Sequence, residues 1–282
     1  MNDLNNALIP AGYLLREDYE EPCCPWNMGQ DDGPPVPVRR VMEKLDSYLE
    51  QQDFAAAERH LDYWLAEADA ARDISGKIAV LNEQIRLYRR LGKNREGLTA
   101  VTKALGLTDV TGADDTVTCG SVLAGIADGC RDFAQAEQAI PLYRRAKAIL
   151  EAKLPENDGR LGGLYNNMAL ALAETGEYRE AEELYLKALD VTAKQDHGEA
   201  ESAIIMLNMA DLAYAGLGAD EAERKAEEYL EKAERLLDTE TLPRDGYYAL
   251  ICEKCAPVFG HYGWFATENK LAERAGRTSG RT

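Results

Sequence analysis

A small residue returns along this chain at a nearly constant interval, each time at the same place on an amphipathic helical pattern. The positions are Ala57, Gly97, Ala139 and Ala181, then a matching site inside Ala219 to Leu237, at steps of 40, 42, 42 and 41 residues, with 46 to a last degenerate copy. Self-similarity at such a period is the mark of a repeat array, in which one helical pair cannot bury its apolar stripe alone and stacks on the next pair instead. A chain of 282 residues has room for about six such units.

The clearest unit runs from Gly162 to Leu189. Its first half places Tyr165, Met168, Ala169 and Leu172 on one face at helical spacing, and its second half does the same with Tyr178, Ala181, Tyr185, Ala188 and Leu189. Gly176 separates the halves. Ala169 and Ala181 stand where two helices must approach closely, with Tyr178 and Tyr185 filling the space beside them.

The motifs Asn166-Asn167-Met168-Ala169 and Ala181-Glu182-Glu183-Leu184-Tyr185-Leu186-Lys187-Ala188-Leu189 resemble the tetratricopeptide repeat (TPR), in its longer kinesin-light-chain-like variety. Weaker copies recur through Phe54 to Leu65, Gly97 to Leu105, Ala139 to Ala146, Asn208-Met209-Ala210 and Asp245 to Arg274. Pro141 in the third copy is expected in the first turn of its helix, where a missing N–H costs nothing. The resemblance implies an all-α, right-handed superhelical solenoid of about six TPR-like helix hairpins. The period exceeds the usual 34 by about eight residues, which predicts roughly two further helical turns per unit. An extra turn is expected in the helix from Ala219 to Leu237, and the loop compositions of Gly106 to Asp115, Lys153 to Gly159 and Thr239 to Pro243 predict linkers.

Residues 1–37 are different. Pro10, Pro22, Pro25, Pro34, Pro35 and Pro37 accompany Gly12, Gly29 and Gly33, a density that predicts a non-repetitive leader ahead of a repeat domain at 38–276 and a short tail at 277–282. No stretch approaches the ~20 apolar residues of a membrane span, and Met1 to Asn6 lack the basic start of a signal peptide, so a cytoplasmic location is expected. A net charge of −18 argues against nucleic acid and anionic membrane surfaces, because both require clustered Lys and Arg.

In the resembled family, ligands contact recurrent positions of the first helices. Carried onto this sequence, those positions are Met42, Asp46 and Leu49; Asn82, Arg86, Arg89 and Arg90; Ala124, Asp128 and Arg131; and Asn166, Leu170, Glu174, Leu207, Asp211 and Tyr214. The partner-binding set selected from them is Asn82, Arg86, Arg90, Arg131, Asn166, Leu170, Leu207, Asp211 and Tyr214. Between Ser75 and Leu105, Lys77, Arg86, Arg89, Arg90, Lys93, Arg95 and Lys103 face only Glu83 and Glu96, a local +5. Guanidinium forks match carboxylates, and asparagine both donates to and accepts from an extended backbone. The same cations also fit a solvated face beside a helix C-terminus. Asn167 and Asn208 occupy one equivalent position, read as structural amides.

Cys252 and Cys255 have the spacing of a zinc half-site, with Cys23 and Cys24 as distant partners, but buried core thiols explain the pair more simply, and all six cysteines read as reduced thiols. His60, His197 and His261 lack a nucleophile setting, and no phosphate-cradling glycine loop is present. No cofactor, metal or catalytic activity is expected. The expected function is a non-catalytic protein-protein interaction scaffold that holds a peptide or partner protein in its groove. Two alternatives stand beside it. One is a homo-oligomeric scaffold, suggested by Tyr247, Tyr248, Val258, Phe259, Tyr262, Trp264 and Phe265 in the last unit, residues that also fit burial against the preceding repeat or the leader. The other is a peptide-sensing regulatory protein.

Overall fold

The computed structural model describes residues 36–110 and 116–278. The proposed leader up to residue 35, with Cys23 and Cys24, and residues 111–115 of the proposed linker lie outside the described residues. Among those described, every regular element is an α-helix, and consecutive helices pair as antiparallel hairpins. The chain divides into two units between Leu154 and Pro155.

The first unit holds α1 (Val38–Glu50), α2 (Phe54–Ala70), α3 (Ile74–Leu91), α4 (Asn94–Val110), α5 (Val117–Asp132) and α6 (Ala136–Lys153). Aspartates and a threonine start several of these helices by accepting otherwise orphaned backbone N–H groups: Asp53 from Ala56 at 2.9 Å, Asp73 from Gly76 at 2.8 Å, and Thr116 from Cys119 at 3.2 Å. Asp73 also accepts the Val36 N–H at 2.8 Å, which ties the start of the described chain to the start of α3. His60 reaches the Val41 carbonyl at 3.0 Å and sits edge-on to Tyr48 and Trp64, a packing role between α1 and α2.

The second unit holds α7 (Gly159–Glu174), α8 (Tyr178–Thr192), α9 (Glu199–Gly216), α10 (Ala219–Leu237), α11 (Gly246–His261) and α12 (Phe265–Thr278). The expected long helix is α10, 19 residues with its acidic face in solvent, laced by Lys232–Glu228 at 2.6 Å and Arg235–Glu231 at 3.7 Å. α9 is buried nearly all round, from Ala200 to Ala213, because α8, α10, α11 and α7 all pack on it.

The small-residue register lands where expected, with Ala57, Ala139, Ala181 and Ala222 at no more than 1% exposure. Gly97 leaves room there for an aromatic neighbour: a Cβ would stand 2.0 Å from the Phe133 ring, which would have to move. Gly92, Gly176 and Gly263 turn the chain between hairpin helices at φ of 64°, 86° and 79°, the left-handed region that glycine tolerates best.

Three expectations need correction. Gly106 is not a linker residue, since α4 continues through it to Val110. Pro141 lies inside α6, beyond its first turn. Its exposed face leaves the carbonyl it cannot bond open to water, and Pro257 in α11 is tolerated in the same way. Lastly, the aromatics of the final hairpin are mostly core. Tyr248, Val258 and Phe259 are buried with Leu230, Leu237 and Leu271, Tyr247, Tyr262 and Trp264 pack against them, and Phe265 alone of the seven is exposed.

Candidate functional site

The first helices of each unit contact one another side by side, α1 and α5 with α3, and α7 and α11 with α9. Polar side chains of these helices make much of the contact. In the first unit, the Arg89 guanidinium donates from Nε to Asp132 at 2.6 Å, Arg131 donates to the other oxygen of Asp132 at 2.6 Å, and the Tyr143 hydroxyl donates to Asp128 at 2.5 Å. Arg89 also stands 3.7 Å from Asp128. Burial is the largest influence on Asp128 and raises its carboxyl pKa, against the opposing pull of Arg89 and the Tyr143 bond. This network joins α3, α5 and α6 and holds Arg131 inside, its side chain 4% exposed.

The basic stretch from Lys77 to Lys103 is balanced from neighbouring helices. Lys77 pairs with Asp69, Lys93 with Glu58, and Arg86 with Glu83 at 2.9 Å, while the Arg90 guanidinium lies 5.2 Å from the Phe54 ring centre. Arg86 keeps a partly open side chain, and Arg90 is exposed. Arg95 and Lys103 line a shallow hollow between α2, α3 and α4 with Asp62, Glu96 and Tyr88. Burial first, then the carboxylates of Asp62, Glu58 and Glu96, push the Tyr88 phenol up to about 12. A charge count along α3 and α4 contains Glu83 and Glu96 but not Glu58, Asp62 and Asp69, which come from α2, or Asp132, which comes from α5.

In the second unit an amide ladder crosses from α9 to α7. Asn208 donates to Asn166 Oδ1 at 2.9 Å, and Asn166 donates to Asn167 Oδ1 at 3.1 Å. All three are buried, and Asn208 Oδ1 is left without a hydrogen-bond donor. Asn82 in α3 repeats the condition, buried with its Oδ1 unbonded against Gly125. Toward the C-terminal end of α9 the Tyr262 hydroxyl donates to Asp211, and at its N-terminal end Tyr247 does the same to Glu201, so two phenol-carboxylate bonds close the seam between α9 and α11. Tyr214 stacks on Tyr262 with ring centres 5.4 Å apart and stays 46% exposed.

Of the nine proposed partner-binding residues, Asn82, Arg131, Asn166 and Leu207 are therefore buried, and Arg86, Arg90, Leu170, Asp211 and Tyr214 keep open surface. Tyr262 was missed as a site residue, because its part depends on α11 packing beside α9. Buried Cys252 and Cys255 have thiols raised by desolvation, as has Cys130, pushed up to about 11; protonated thiols are poor metal ligands and nucleophiles. Among the described residues no group of three or more His, Cys, Asp or Glu is placed to hold a metal ion, and no helix is long and apolar enough to cross a membrane.

No family model matches the sequence, and no curated protein matches it. Solved structures do. A set of nearly identical TPR-like repeats from a Podosopora anserina protein described as a kinesin light chain superposes with a TM-score of 0.51 at 16% identity, covering 73% of this chain and 98% of that one. This chain has a TPR-like repeat fold. Other matches include the apo form of the quorum sensor NprR from B. thuringiensis, with a TM-score of 0.54, 16% identity and coverage of 87% and 65%. NprR in complex with its cognate peptide NprX matches at 0.55 and 16%, covering 84% and 66%.

Proposed function

We propose that this TPR-like chain is a non-catalytic binding module that holds an extended peptide segment of a partner along its first helices. The observation that carries the reading is the surface that Arg86 and Arg90 keep open on α3, Leu170 on α7 and Tyr214 on α9, among first helices whose other polar side chains are largely taken up in contacts with one another. Guanidinium groups suit the carboxylates and carbonyls of an extended peptide, and a partly open leucine and an exposed tyrosine suit its apolar side chains. Arg131 serves the reading from behind, holding Asp132 and through it Arg89. NprR, part of which superposes on this chain, forms a complex with its cognate peptide NprX, which supports the class of ligand without naming the partner of this chain.

The test begins with twelve-residue peptides selected from a random display library on the folded chain. Arg86→Glu addresses the first unit and Tyr214→Ala the second, both at side chains open enough to replace without disturbing a core. The reading expects at least one of them to weaken a selected peptide about tenfold, the loss of one well-made contact. Selected peptides indifferent to both substitutions would count against it.

A further inference from the structure

The C-terminal end of α9 gathers three features that each favour positive charge. The first is Asp211, a half-buried carboxylate whose Oδ1 accepts the Tyr262 hydroxyl. Burial raises its pKa, and no described lysine or arginine is paired with it. The second is aromatic: Tyr214 lies over Tyr262 at an interplanar angle of 24°, His261 stands edge-on to Tyr262 at 5.1 Å, and Tyr178 packs across Gly216 on the flank of the same helix end. Tyr178 and Tyr214 are 37% and 46% exposed, large fractions for tyrosines in a packed repeat. The third is the helix itself, whose last carbonyls carry partial negative charge toward the same corner.

A carboxylate taken partly out of water, with no cation of its own, is costly unless something brings the charge to it. From these groups we propose that Asp211, Tyr214 and Tyr262 form a pocket for an arginine side chain of the bound peptide. The planar guanidinium stacks on the open face of Tyr214 while one edge donates to Asp211 Oδ2, the oxygen that Tyr262 leaves available. Tyr262 is a positioning residue: its hydroxyl fixes the carboxylate, and its ring holds Tyr214 flat. Lysine lacks the plane that stacks and the fork that reaches the carboxylate, so arginine is the better fit. This assignment rests on the peptide-binding reading above and names the chemistry of one contact in it.

The probes are acetyl-Ala-Ala-Arg-Ala-Ala-amide and the same peptide with citrulline, which keeps the shape of arginine without its charge. Each is titrated into full-length protein with ring-labelled tyrosine and followed by NMR. The Arg peptide is expected to shift the Tyr214 and Tyr262 resonances saturably, with the citrulline peptide about tenfold weaker. Asp211→Asn keeps an acceptor for Tyr262 and should abolish the difference between the two, and Tyr214→Leu should weaken the Arg peptide while leaving the helices intact. Equal responses to both peptides, no saturable response to either, or an Arg response unchanged in Asp211→Asn would overturn the pocket. A response to tetramethylammonium as strong as that to the Arg peptide would overturn the choice of arginine. Library-selected peptides that bind through Arg86 but carry no basic residue and ignore Asp211→Asn would sink this inference while leaving the peptide-binding reading in place.

Discussion

Asp128 shows how little a single position reveals about itself. In sequence it is one acid among 50 Asp and Glu residues, placed on a first helix by the repeat alignment. In the structure it is buried, bonded to Tyr143 and flanked by Arg89, Arg131 and Asp132. Its pKa is raised above the ordinary 3.8, so the folded state takes up this proton before the unfolded chain does as pH falls. The contribution of Asp128 to stability is therefore fullest below the ordinary value and is lost as pH rises through the folded one. The stability of the natural chain minus that of Asp128→Asn is expected to decline across that interval, read by urea unfolding at a series of pH values. A difference that grows with pH would show that the arginines outweigh burial. Arg131 follows the same logic: the sequence shows its charge and its neighbour Asp132, but only the fold shows that the pair turns inward and that Asp132 also takes Arg89 from α3.

At the scale of the helix, sequence reading went furthest, because a helix records its own period and its own ends. The 40- to 42-residue steps and the glycine turn at Gly176 each have a local physical cause. Failures came where glycine or proline was read as punctuation inside a helix that packing carries through, as at Gly106 and Pro141. Helix α4 offers a paired test. Gly97→Ala would drive a methyl group into Phe133 and should destabilise the chain by about 1–3 kcal/mol. Gly106→Ala meets no atom within 4 Å and should stabilise it by about 1 kcal/mol. Thermal or urea melts decide both. Two changes of the same sign would mean that α4 does not pack as described.

For the whole molecule, fold class was legible and the binding face only in part. Periodicity names the helices that run side by side, which places Asn166 with Asn208, and the helical period itself puts Asp211 and Tyr214 on one face of α9. It does not say which polar side chains those helices then consume among themselves, and four of the nine proposed contact residues turn out to be buried. What remains open on the first helices is arginine on α3 and an aromatic-acid corner at the end of α9. The central claim is that these first helices, and not the charged outer faces of helices such as α10, receive a peptide. Photo-cross-linking tests it most directly, using a library-selected peptide that carries benzoylphenylalanine and mapping the cross-linked residues by mass spectrometry. The account predicts cross-links on first helices, at or beside residues such as Arg86, Leu170 and Tyr214. Cross-links concentrated on α8, α10 or α12 would contradict it.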